Sequence, residues 1–220
     1  STGTGSGLDF TVIKYNSAGT VLWISRYNGP AGGEDNAYLV KVDNAGNVYV
    51  SGSSIGPGSG LDYCAVKYNS AGVQQWVARY NGPSNAIDEI YSLQIDNSGN
   101  VYITGYSNGG ASGDDICTIK YNSAGAEQWV RRIDGSSGSD DYGNSLQLDN
   151  QGNIYLTSAV TRAGTDIDYL TLKYSPAGSV LWSDYYDGPV NGEDFPSSNA
   201  IDANGNLFVA AVADGSCSLF

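Results

Sequence analysis

The chain predicts an all-β fold built from tandem four-stranded sheets, and three observations carry that expectation. First, a repeat recurs every 53 residues: Asp35, Asp88, Asp141 and Asp194 step by this interval, as do Trp23, Trp76, Trp129 and Trp182. Second, each period holds four short runs rich in Val, Ile, Tyr and Trp, separated by Asn/Asp/Gly clusters, which is the pattern of strands joined by tight turns. Third, no stretch has a convincing helical period.

The second repeat shows how each element is read. Strand A is expected over 37–43 (AYLVKVD), followed by the turn Asp43-Asn44-Ala45-Gly46-Asn47 and strand B over 48–53 (VYVSGS). A Gly/Ser/Pro-rich loop leads to strand C over 61–68 (LDYCAVKY), and Asn69-Ser70-Ala71-Gly72 turns the chain into strand D over 73–80 (VQQWVARY). Asn and Asp bond their own backbone, and Gly reaches positive φ without steric cost, so both clusters are read as hairpin turns. The Asp-led turns at Asp43, Asp96, Asp149 and Asp202 lack the distal bidentate Glu of an EF-hand, whose place after Asp43 is taken by Ser54. Four-stranded meanders in tandem, with a period near 50, pack face to face as a β-propeller. The uniform repeat makes 1–220 one domain: half-blade 9–27, blades 37–80, 90–133 and 143–186, and half-blade 196–212.

Composition narrows the function classes. Ten Lys and Arg face 23 Asp and Glu, a net charge of −13, which repels phosphate backbones and anionic membrane surfaces. No apolar run approaches the roughly 18 residues of a membrane helix, so neither nucleic-acid binding nor membrane insertion is expected. The start at Ser1, without Met or an apolar leader, reads as a mature or trimmed protein. With no histidine, Ser-His-Asp and Cys-His nucleophiles and His-containing metal sites are excluded. Cys64 and Cys117 occupy one repeat position and read as buried free thiols too far apart to bridge, whereas Cys217 is a free or intermolecular thiol.

The motif Lys-Tyr-x-x-x-Gly-x-x-x-Trp stands at Lys67 to Trp76, and Asp-x-x-Gly-Asn-Val-Tyr-Ile-Thr-Gly at Asp96 to Gly105. Together these resemble the SBBP β-propeller repeat of bacterial secreted and cell-surface proteins, over essentially the whole chain. The resemblance implies a propeller, commonly of more than four blades, and no defined activity. The last repeat departs from it: Pro196-Ser197-Ser198-Asn199 replaces a good strand A, and Ala210-Ala211 replaces Thr-Gly.

In this register the first half-blade supplies strands C and D and the last supplies A and B. A two-stranded sheet is marginal alone and its open edge invites pairing, so the halves are expected to be completed. Closure within the chain would give a four-blade ring, the solution that chain economy favours. Completion between chains would give a larger ring, eight blades for two copies, or an open head-to-tail fibre.

Four candidate sites follow. Asp35, Asp88, Asp141 and Asp194, flanked by Glu34, Glu89, Asp140 and Glu193, would surround one axial mouth, where a carboxylate ring is a ligand site and an alternative Ca²⁺ site. Their repetition in every blade argues instead for capping of each local turn. The four tryptophans, with Tyr27, Tyr80 and Tyr186, are either sugar platforms or packing between blades, and packing is the stronger reading. Lys14, Lys67, Lys120 and Lys173 are expected to form inter-blade ion pairs or to be solvated. A glycosidase would need two carboxyls in different environments, and the symmetry offers no such difference. The expected function is a non-enzymatic secreted or cell-surface scaffold without a resident cofactor, binding protein or glycan partners and associating with itself by half-blade completion. A lectin-like propeller is the alternative, and a glycoside-cleaving enzyme a weaker one.

Overall fold

The computed structural model describes residues 7–136, 138–164, 166–189 and 192–213. These residues form sixteen antiparallel strands and no helix. Strands β1 (Phe10–Tyr15) and β2 (Val21–Tyr27) make a two-stranded sheet. Three four-stranded meanders follow. The first holds β3 (Asp35–Val42), β4 (Val48–Ile55), β5 (Leu61–Tyr68) and β6 (Gln74–Tyr80). The second holds β7 (Asp88–Ile95), β8 (Val101–Asn108), β9 (Asp114–Tyr121) and β10 (Glu127–Ile133). The third holds β11 (Tyr142–Leu148), β12 (Ile154–Thr161), β13 (Ile167–Tyr174) and β14 (Val180–Tyr186). Strands β15 (Phe195–Ile201) and β16 (Leu207–Val212) form a second two-stranded sheet. Cys217 lies outside the described residues.

Turn chemistry sets this regularity. In the C–D turns, Asn69 Oδ1 accepts the N–H groups of Ala71 and Val73, both at 3.0 Å. In the A–B turns, Asp43 Oδ1 accepts those of Ala45 (3.0 Å) and Asn47 (2.8 Å), and its Oδ2 takes the Asn47 amide at 2.7 Å and the Tyr49 hydroxyl at 3.1 Å. Asp96, Asp149 and Asp202 hold the equivalent amide pairs. Burial alone would raise the Asp43 pKa, but these donors outweigh it and hold the carboxyl below its usual range.

The core lies between sheets. Tyr49, Tyr63 and Ala78 of the first blade pack against Ile90, Leu93 and Ile103 of the second. Tyr102, Ile116 and Trp129 pack likewise against Leu146, Leu156 and Leu170 of the third. Phe10 and Tyr27 seat the β1–β2 half-blade on Val50, Cys64 and Val66. Cys64 and Cys117 are free and buried, and burial pushes both thiols up to about 12. The last interface differs: Asn199 stands where Leu93 and Leu146 stand in earlier repeats. Its amide donates to Thr157 Oγ1 at 2.9 Å and to the Ser145 carbonyl at 3.1 Å. These tertiary bonds make 195–201 a strand despite its poor composition.

The ring expected to close within the chain is not found. Among the described residues β1 pairs only with β2 and β16 only with β15, and the blades form an open stack. Four blades close a ring only with a quarter-turn between neighbours. The fan between neighbours is set by contacts between their outer strands, as when Trp76 Nε1 on β6 donates to the Ser123 carbonyl beyond β9 at 3.0 Å, and it leaves β16 and β1 without each other as ladder partners.

Candidate functional site

Each repeat aspartate sits at or just before the start of its strand A and is buried. One oxygen of Asp35, Asp88, Asp141 and Asp194 accepts the N–H of Gly29, Gly82, Gly135 and Gly188, at 2.6, 2.7, 2.6 and 2.6 Å. The carboxylate therefore closes the turn leaving strand D. The backbone N–H of Asp35, Asp141 and Asp194 donates in turn to Leu8, Asp114 and Ile167 at the head of the preceding strand C, tying neighbouring blades together. No three of the four carboxylates come within one 4.8 Å group among the described residues. Asp194 instead lies with Asp168 and Asp187, and Arg162 already donates to Asp168 at 3.3 Å.

Burial pushes the Asp141 carboxyl up to about 6, against the N–H bonds from Gly135 (2.6 Å) and Thr161 (2.7 Å). A raised pKa is what a general acid needs, yet this group is wholly enclosed in its own turn. Folded Asp141 holds its proton more tightly than the unfolded chain, so its contribution is complete below about pH 4 and lost as pH rises through about 6. Urea unfolding of wild type and Asp141→Asn should show the wild-type advantage shrinking by roughly 1–3 kcal/mol between those limits. A difference that stays flat across this window removes the assignment.

A second network joins strands B, C and D. Arg132 on β10 donates to the Ser107 carbonyl at 2.7 Å, to Asp115 at 2.6 Å, and to Tyr80 of the preceding blade at 3.3 Å. Arg79 repeats this with Ser54 (2.8 Å), Asp62 (2.8 Å) and Tyr27 (3.2 Å). In the third blade Tyr185 takes the arginine position, and Arg162 reaches in from just beyond β12, its guanidinium 4.5 Å from the Tyr185 ring centre. The aspartates and arginines step by 53 as the tryptophans do, so the period itself was the signal for this network.

Three of the four repeat tryptophans are inter-blade plugs, and the fourth, Trp182, is exposed. Trp23, Trp76 and Trp129 donate from Nε1 to the carbonyls of Ser70, Ser123 and Pro176 in the next C–D turn, at 3.1, 3.0 and 3.2 Å. Lys14, Lys67 and Lys120 reach the same three carbonyls at 3.2, 3.5 and 2.9 Å. These lysines thus cross to the next blade but meet a carbonyl rather than the expected carboxylate. Lys67 and Lys120 also lie over the rings of Tyr49 and Tyr102. Lys173 turns back into its own blade, to Tyr155 at 2.7 Å and Asp149 at 3.3 Å.

Between successive A–B turns open polar clefts. One, of about 410 Å³, is lined by Asp96, Asn100, Tyr102, Lys120, Asp149 and Gln151. Its neighbour, of about 590 Å³, is lined by Asp149, Tyr155, Lys173, Asp202 and Asn204. Amides, carboxylates and aromatic edges on adjoining turns suit hydroxyl-rich ligands.

Residues 75–110, which run from β6 through β8, match the SBBP family model, described as a beta-propeller repeat. No curated protein matches the chain.

Proposed function

We propose that this chain, which carries an SBBP beta-propeller repeat at residues 75–110, is a non-enzymatic structural or binding scaffold whose half-blades are completed by pairing of β16 with β1. One observation carries the reading: the two outer edges are half-built copies of a pair the chain makes three times. Tyr15 on β1 is 55% exposed, whereas its repeat equivalents Tyr68, Tyr121 and Tyr174 are at 1–2%. Phe208 on β16 is 60% exposed, whereas Tyr49, Tyr102 and Tyr155 are likewise at 1–2%. The β4–β5 register sets Val48 opposite Tyr68 and Val50 opposite Val66. Carried over by the repeat, it sets Leu207 opposite Tyr15 and Val209 opposite Ile13. Unpaired strand edges of this kind recruit a matching strand.

Amide hydrogen exchange tests the pairing. The outward-facing amides of 10–15 and 207–212 should be protected to the level of those in β4 and β5. Exchange at the rate of free peptide in both segments overturns the reading. The proposed setting is bacterial and extracellular, as the SBBP resemblance suggests. The scaffold carries no resident cofactor in this proposal, since Arg162 already engages the Asp168–Asp187–Asp194 group where Ca²⁺ would bind. The row of polar clefts favours glycan binding as a second reading, within the same rigid frame.

A further inference from the structure

We infer that the outer face of β13–β14 is a docking site for the C–D turn of a second copy of this chain, the segment Asn16–Gly19. The inference rests on the half-blade reading above and names the partner and the contacts. The same interface occurs three times within the chain. Each time a tryptophan on strand D enters the next C–D turn, bonds its carbonyl, and lies against its glycine. A Cβ on Gly72, Gly125 or Gly178 would meet Trp23, Trp76 or Trp129 at 2.7, 2.7 or 2.9 Å. The series leaves one plug and one notch over. Trp182 is 41% exposed, against 8% for Trp129, and Gly19 has nothing within 4 Å of its Cβ position. Counting by the repeat, Gly19 is the notch that follows Trp182.

A second set of residues points to the same docking. Tyr27 bonds Arg79 and Tyr80 bonds Arg132, each across an interface and each 52 residues apart. At the next step both members change together, to Ile133 and Tyr185. Both then return: Tyr186 on β14 is 51% exposed, and Arg26, exposed on β2, holds the position that would face it. Lys173 fits as well. Its three equivalents donate to a carbonyl of the next C–D turn, whereas Lys173 donates to the Asp149 carboxylate and the Tyr155 hydroxyl of its own blade.

Within the chain Gly19 and Trp182 do not meet, and among the described residues β1 pairs only with β2, so the notch is assigned to another copy. Each copy presents both plug and notch, so association is head to tail, closing at two copies or propagating. Each chain carries −13, and added salt should therefore strengthen association.

Light scattering across a dilution series of the 220-residue chain is the test. The expected mass is at least twice the 23.0 kDa of one chain, falling toward one chain on dilution. Trp182→Ala should weaken association at least tenfold, as removal of a buried interface tryptophan does, with circular dichroism unchanged. Arg26→Ala and Tyr186→Phe should each weaken it, with a combined effect smaller than the product. A 23.0 kDa species at every concentration overturns the inference; if the edge amides are still protected, completion occurs within one chain and the scaffold reading stands. An assembly indifferent to all three substitutions overturns the docking face while leaving self-association.

Discussion

Replacing Arg132 with alanine is expected to destabilise the fold by about 3–5 kcal/mol, the cost of leaving a buried carboxylate without its partner. Asp115 has a side-chain exposure of 7% and faces the Arg132 guanidinium at 2.6 Å. No other cation is within ion-pair distance of it among the described residues. The loss extends past one ion pair, because the same guanidinium satisfies the Ser107 carbonyl and crosses to Tyr80. A lysine offers a point charge rather than a planar fork, so Arg132→Lys should recover less than half of the loss. Arg26, exposed on the open half-blade, should tolerate alanine with a change below about 0.5 kcal/mol in a dilute, unassociated sample. Chemical denaturation of the three variants decides the matter, and near-equal costs for Arg132→Ala and Arg26→Ala would refute the network.

Gly105→Ala is expected to cost about 3 kcal/mol, although it adds a single methyl group. Gly105 on β8 pairs with Ile90 beside a β-bulge in β7, and a Cβ there would overlap the Glu89 carbonyl oxygen. A backbone atom cannot swing aside as a flexible side chain can. The third blade solves the same problem in reverse, with Ser158 on strand B facing Gly143 on strand A. The glycine has crossed the ladder. Ser158→Ala should therefore cost under about 1 kcal/mol, since the space for a Cβ exists and the Ser158 hydroxyl is buried without a partner. Equal penalties at the two positions would show that the bulge does not set the requirement.

Strands B and C were legible in the sequence because their apolar runs are buried on both faces. Strand A begins at Asp35 and Asp88 in the first two blades, earlier than apolar content indicated, because those aspartates pair in the ladder before capping their turns. Pro196-Ser197-Ser198-Asn199 looked like a poor strand because propensity is blind to what a neighbouring blade offers Asn199. The aspartate positions were legible from the period, whereas their separation was not: symmetry gives equivalent places, and only the inter-blade angle decides whether these converge. The same angle decides whether a ring closes, and no count of repeats contains it. The Trp plugs were anticipated as packing, but the carbonyl that each shares with a lysine lies in a turn that sequence treats as mere connection.

Every latch described here runs from one blade to the next and none skips a neighbour, so stability is distributed along the stack as in a zipper. The links differ in strength. Three interfaces are apolar, while the last is a polar contact centred on Asn199, backed by a half-blade with one face bare. Fraying under heat or tension thus has a direction written into it, starting at β15–β16 and travelling inward. Whatever seats itself against that end stops the unravelling at its source.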